Sequence, residues 1–64
     1  MSQNAPPPPL WTVRDVAAYL GSSAKYVYTL VEQNRIPFTR GPRLRFRPDS
    51  IEAWVASREI KAVR

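Results

Sequence analysis

The chain has 64 residues and a formal net charge of +5, from ten Lys and Arg against five Asp and Glu. It contains neither Cys nor His, which excludes disulfides, Cys/His zinc sites, cysteine nucleophiles and histidine general bases. A chain this short forms a single small domain, with little room for an enclosed substrate cleft. We therefore expect no enzyme, no metal, no cofactor and no small-molecule substrate. The positive charge instead favours a polyanionic partner.

Composition divides the chain into three parts. Residues 1–9 end in four consecutive prolines, which cannot enter a helix interior, and this predicts a disordered Pro-rich tail. Residues 10–56 carry the apolar periodicity of a folded domain, and residues 57–64 form a mostly polar, basic extension. No apolar run approaches the roughly 18–20 residues that a membrane-spanning helix needs, and no secretory leader is recognisable. We expect a cytoplasmic, nucleoid-associated protein without membrane contact.

The first helix is predicted over residues 13–20, because its apolar residues recur at positions i, i+3, i+4 and i+7. Those residues are Val13, Val16, Ala17 and Leu20. Thr12 precedes them as a helix N-cap, and Asp15 stands three positions later, as in a capping box. Gly21 then interrupts the helical pattern.

A second helix is predicted from Ala24 to Gln33, with Ser22 and Ser23 offering its N-cap. Val27, Leu30 and Val31 repeat the helical spacing. The pattern ends near Asn34, a residue that tolerates the left-handed conformation typical of helix ends.

A basic β-hairpin is predicted next, with strands over residues 36–40 and 43–47. Gly41 is expected to supply the positive φ of the reversal. Alternation along the second strand directs Leu44 and Phe46 to the core and three arginines to the other face. Those arginines are Arg43, Arg45 and Arg47, and Arg40 across the turn extends the row. A third helix begins at Pro48 or Asp49 and buries Ile51, Trp54 and Val55.

Two helices across a tight turn, followed by a basic hairpin, predict a mainly α fold with a small two-stranded β wing. This winged helix-turn-helix arrangement is typical of proteins that read double-stranded DNA. The N-terminal part of a recognition helix contacts base edges in the major groove. The candidate contacts there are Ser23, Ala24, Lys25, Tyr26, Tyr28 and Thr29. A structural role for both tyrosines stays open, as does a pattern in which one packs on the fold and the other contacts phosphate.

The wing is expected to lie in the minor groove, where arginine is attracted by the negative potential. Its candidate contacts are Arg40, Gly41, Arg43, Arg45 and Arg47. The alternative is a solvated strand face, with Arg47 paired to Asp49 or Glu52. Arg14 and Ser22 are further possible phosphate contacts, although helix capping explains the serines equally well.

Several runs of residues resemble the excisionase family, small winged helix-turn-helix proteins related to the DNA-binding domain of MerR-type regulators. The resemblance covers residues 10–56 and is carried by Trp11-Thr12-Val13, Ile36-Pro37 and Ile51-Glu52-Ala53-Trp54. It implies a recognition helix in the major groove and a wing in the adjacent minor groove. Phage and mobile-element excisionases bind arrays of sites, bend the DNA and direct an integrase toward excision. Other members are small transcriptional regulators.

An excisionase is the preferred interpretation, because one module buries only about 600–1,000 Å² and needs neighbouring copies for useful affinity. Those copies would associate head to tail on tandem sites. The first alternative is a small MerR-like transcriptional regulator. The second is a protein-interaction module that uses the Pro-rich tail as a docking ligand.

Overall fold

The structure, a computed structural model, describes residues 9–59. Its elements, in chain order, are α1 (Val13–Leu20), α2 (Ala24–Glu32), β1 (Thr39–Arg40), β2 (Leu44–Arg45) and α3 (Pro48–Ser57). The predicted winged helix-turn-helix class is thus confirmed. Most of the predicted tail and the end of the predicted extension, residues 1–8 and 60–64, lie outside the described residues.

Helix α1 has the predicted limits because a local capping motif marks each of its ends. The Thr12 amide donates to Asp15 Oδ2 at 2.9 Å, and the Asp15 amide donates to Thr12 Oγ1 at 3.2 Å, which completes a capping box. At the other end Gly21 adopts a left-handed φ of 68°. The Ser22 amide then reaches back to the Ala17 carbonyl at 2.9 Å, the long bond of a Schellman motif.

Helix α2 begins as predicted and ends one residue earlier than predicted. Ser23 is its N-cap, and its Oγ accepts from the Tyr26 amide at 3.1 Å. Beyond the helix Asn34 has a positive φ of 56°, as expected of an asparagine at a helix end. The Arg35 amide donates to the Leu30 carbonyl at 2.9 Å, so the two helices end in the same manner.

Side chains from all three helices and from the segments on either side of the hairpin form one apolar core. Its buried members are Val13, Val16, Ala17, Val27, Leu30, Val31, Ile36, Phe46 and Ile51. The predicted core residues Leu20, Leu44, Trp54 and Val55 are half-buried and pack around this cluster. Ile36, expected in a strand, is buried in the segment between α2 and β1.

The hairpin is shorter than predicted, since each strand has only two residues. Phe46 pairs outside it: its amide donates to the Trp11 carbonyl at 2.9 Å, and the Trp11 amide donates to the Phe46 carbonyl at 2.7 Å. The prediction of a positive φ at Gly41 is wrong, because Gly21 is the one glycine of the described chain with that conformation. A three-residue connection over residues 41–43 makes the reversal without it.

Candidate nucleic-acid interface

Helix α2 presents two separate exposed sides. Successive residues turn by about 100°, so Lys25, Tyr28 and Glu32 share one side while Tyr26 lies more than a quarter turn away. All four are exposed. The side formed by Lys25, Tyr28 and Glu32, here termed the reading face, carries an ammonium, a phenol and a carboxylate. These groups can donate to guanine, contact phosphate and accept from cytosine.

Two predicted contacts on α2 are less accessible than expected. Ala24 is half-buried and packs against the core, so only part of its side chain is accessible to a base edge. Thr29 is also half-buried, and its hydroxyl donates to the Lys25 carbonyl at 3.1 Å. That bond uses the only donor of the Thr29 side chain and leaves its methyl group and oxygen lone pairs for a base edge.

The serines before α2 are committed to the turn. Ser23 Oγ caps the helix, and the Ser22 amide donates a hydrogen bond to the Ala17 carbonyl. Ser22 therefore has its hydroxyl, and not its backbone N–H, to offer to a phosphate. Arg14 is exposed on α1, two positions after the Thr12 cap. Phosphate contacts by Arg14 and Ser22 stay predictions.

The wing separates its arginines onto two faces. The register pairs Thr39 with Arg45 and Arg40 with Leu44, and residues directly opposite in an antiparallel pair share a face. Arg40 therefore lies on the same face as Leu44, and its guanidinium stacks over the Phe38 ring at 5.2 Å. The expectation that Arg40 extends the arginine row is wrong in this respect. The term arginine row is kept for Arg43 in the connection, Arg45 in β2 and Arg47 at the start of α3.

The three arginines of the row differ in exposure and in their contacts with other protein groups. Arg45 is half-buried, and its Nη1 donates to the Leu44 carbonyl at 2.7 Å. Arg47 Nη2 pairs with Asp49 Oδ2 at 3.5 Å, one of the partners expected for it. The hydrogen bond from Arg47 lowers the pKa of the Asp49 carboxyl, helped by the charge of Arg47 and by the Ser50 amide. Arg43 is exposed at the tip.

The third helix holds α2 and the wing in fixed relation. Trp54 Nε1 donates to the Arg35 carbonyl at 2.9 Å, joining α3 to the segment that follows α2. Ile51, on the same helix, is fully buried against the core. This bond and the Trp11–Phe46 pairing fix the position of the wing relative to α2. Neither was predicted from the sequence. Neither has a local signal, because the partners are far apart in the chain.

The connection between α1 and α2 is the feature that decides the class of the protein. It has three residues, Gly21–Ser23, and joins two short helices ahead of a two-stranded wing. A model of a family described as a helix-turn-helix domain matches residues 12–59. The chain belongs to this helix-turn-helix domain family. Comparison with curated proteins and with solved structures gave no match.

Membership of the helix-turn-helix domain family supports DNA binding by this chain. The matched range contains the reading face of α2, the arginine row of the wing and the whole of α3. Over residues 9–59, no helix is long and apolar enough to cross a membrane. The same residues contain no cluster of three or more Asp and Glu that could hold a metal ion.

Proposed function

We propose that this helix-turn-helix domain protein is a non-enzymatic excisionase, which binds several neighbouring sites on DNA, bends the DNA and directs an integrase toward excision. The observation that supports this proposal is the single-module architecture of residues 9–59. They contain one reading face and one arginine row, and no helix of the length expected for a two-fold dimerisation seam.

A single module limits what one copy can achieve on DNA. An interface of about 600–1,000 Å² is the range of one small DNA-binding module, and high affinity usually requires a larger contact. Copies on adjacent sites raise the apparent affinity by mutual contact. A filament of such copies would impose a continuous bend on the DNA. An excisionase bends the DNA in this way to direct an integrase toward excision.

The proposed binding mode assigns a separate task to each surface. The reading face enters the major groove, where Lys25 donates to guanine and Tyr28 contacts the neighbouring backbone. The wing follows the adjacent minor groove, where Arg43 and Arg45 meet the strong negative potential of narrow A·T-rich DNA. Arg47 lies nearer α3 and is shared between Asp49 and the phosphate backbone.

The testing experiment uses DNA from both sides of the native gene, divided into overlapping fragments, in gel-shift titrations at fixed salt. We expect a ladder of cooperative complexes on one fragment, and bending of that fragment in a circular-permutation assay. A scrambled duplex of equal length is the matched control. A single discrete complex confined to a promoter, with no ladder and no bend, would favour the MerR-like transcriptional regulator instead.

The integrase role requires a second assay, because cooperative bending alone does not establish it. An excision reporter carrying the candidate attachment sites and their integrase should recombine only when the protein is present. The Lys25→Gln variant serves as the matched negative control, since its exposed side chain can be changed without disturbing the core. Excision that is equally efficient without the protein would contradict the proposal.

A further inference from the structure

An exposed aromatic cleft lies on the molecule away from the reading face. Its apolar lining comes from α1, α2 and α3 and consists of Tyr19, Leu20, Tyr26, Trp54, Val55 and Ala56. Its polar lining consists of Ser22, Glu52, Arg58 and Glu59. Tyr19 and Tyr26 each remain 47% exposed, which is unusual for aromatic side chains in a domain with so small a core. The binding mode proposed above uses neither ring, although the sequence made Tyr26 a candidate DNA contact.

Two of the three rings that line the cleft, those of Tyr19 and Trp54, are held by contacts within the protein. The Trp11 ring packs against Tyr19 with centroids 5.2 Å apart. Trp54 is fixed by its bond to the Arg35 carbonyl, and the Arg58 guanidinium stacks on its ring at 4.8 Å. An open cleft lined by tyrosine and tryptophan is the type of surface that accepts proline-rich segments, since proline rings pack between aromatic rings and the stiff ligand loses little entropy.

The chain carries such a segment itself. Pro6–Pro9 are four consecutive prolines, and Pro6 and Pro9 have the P-x-x-P spacing of polyproline ligands. A run of this kind favours polyproline II and spans about 12 Å at 3.1 Å per residue. We propose that the aromatic cleft of one copy binds the Pro6–Pro9 run of a second copy of this chain.

The direction of the chain before Trp11 favours a second copy over the same copy. The antiparallel Trp11–Phe46 bridge directs the chain, followed backward from Trp11 through the exposed Leu10 and Pro9, toward Arg47 and Pro48. The chain therefore approaches the N-terminal end of α3. The cleft is lined by α3 from Glu52 onward and by Arg58 and Glu59, which follow the helix. The described chain thus ends, at Pro9, near the end of α3 opposite the cleft, and this favours a neighbouring copy over the same copy as the partner of the proline run.

Such a contact joins two different surfaces, so every assembly that does not close into a ring keeps a free run at one end and a free cleft at the other. Heterologous contacts of this kind propagate along a line. The inference deepens the proposed function, because it names the surface through which copies on tandem sites would touch. The cleft itself can be tested without DNA, so its failure and the failure of the excisionase proposal are distinguishable.

The test titrates the full-length, ¹⁵N-labelled protein with a synthetic peptide of residues 2–10. We expect saturable shifts of the Trp54 indole N–H and of the Tyr19 and Tyr26 amides, while the Arg43 and Arg45 amides stay unmoved. A peptide with alanine at all four proline positions is the matched control and should cause no shift. No shift at Trp54 with the native peptide would overturn the proposal.

Two tyrosine variants on the same helix separate the cleft from the DNA interface. Tyr26→Ala should weaken peptide binding about three- to tenfold, the loss expected for one aromatic contact. Tyr28→Ala is the matched control, because Tyr28 is similarly exposed at 53% but lies on the reading face. It should leave peptide binding unchanged. Equal effects of the two variants on peptide binding would contradict the assignment of Tyr26 to the cleft.

Sedimentation of the full-length protein distinguishes the two possible sources of the proline run. Docking between copies predicts a weight-average mass that rises with concentration, and that rise should disappear when Pro7 and Pro8 are replaced by alanine. If the Trp54 resonance instead differs between wild type and this variant at all concentrations while both remain monomeric, the run occupies its own cleft. That result would overturn docking between copies.

Discussion

Trp54 Nε1 donates to the Arg35 carbonyl at 2.9 Å, a hydrogen bond between residues 19 positions apart. It ties α3 to the segment between α2 and β1, and thus sets the wing relative to the reading face. Trp54→Phe removes the donor and part of the ring, and we expect the free energy of unfolding to fall by about 1–2 kcal/mol. Urea denaturation measures this. Tyr28→Phe, an exposed change, should leave stability within about 0.5 kcal/mol; an equal loss in both variants would contradict a structural role for the bond.

The two glycines of the chain predict opposite responses to the same substitution. Gly21 has a φ of 68°, and a Cβ added there meets nothing within 4 Å, so the cost of Gly21→Ala is backbone strain alone. We expect a loss of about 1–2 kcal/mol. Gly41 has equal space but no positive φ, so Gly41→Ala should be neutral within about 0.5 kcal/mol. Thermal unfolding of both variants checks the contrast, which an equal loss at the two positions would refute.

The wing arginines are expected to control the salt dependence of DNA binding. Each phosphate contact contributes about −0.9 to the slope of log affinity against log salt concentration. Arg43→Gln should therefore reduce the magnitude of that slope by about one unit on specific and scrambled DNA alike. Arg58→Gln removes an equal charge next to the cleft and should not change the slope. Fluorescence anisotropy over a range of salt concentrations provides the measurement, and equal changes in the two variants would contradict a wing contact.

Lys25 and Arg14 are expected to differ in what they contribute to specificity. Removing a donor to a base edge costs about 1–3 kcal/mol of discrimination between the right and the wrong base. Removing a phosphate contact weakens binding to all sequences alike. Lys25→Gln should therefore reduce affinity for the native site more than for a scrambled duplex, and Arg14→Gln should reduce both equally. Competition binding with the two duplexes decides this. A uniform loss in the Lys25 variant would assign that side chain to phosphate.

The Arg47–Asp49 pair predicts a small loss of folding stability at acid pH. The pKa of Asp49 is lower in the folded chain than its ordinary value of 3.8, so the pair stabilises the fold above that value. The stabilisation is lost as the pH falls through the folded pKa. Asp49→Asn should therefore narrow the difference between the Tm at pH 6 and at pH 3. An unchanged difference would show that the ion pair, whose side chains are 64% and 72% exposed, does not contribute.

The helices were predictable because their signals are local. The limits of α1 follow from Thr12, Asp15 and Gly21, which act on backbone groups within five positions of themselves. The start of α3 follows from Pro48, whose fixed φ suits the first helical position. Periodicity identified most of the core for the same reason: it describes one face of one element at a time.

The presence of a two-stranded wing was predictable from the sequence, but its register was not. Alternation correctly predicted that Phe46 is buried and that Arg43 and Arg47 are exposed, although the strand itself contains only Leu44 and Arg45. It did not specify the register that pairs Arg40 with Leu44 and thereby removes Arg40 from the arginine row. Register depends on the conformation of the three connecting residues, and Gly41 adopts a conformation other than the one expected.

The sequence by itself determined the helix-turn-helix order, the basic wing and the apolar faces, because each depends on interactions between near neighbours. Tertiary structure decided which side chains from different elements meet: Trp11 with Phe46, Trp54 with Arg35, and the rings of α1, α2 and α3 around the cleft. Those contacts depend on how the helices pack on one another, and packing is a property of the whole core that no local pattern encodes.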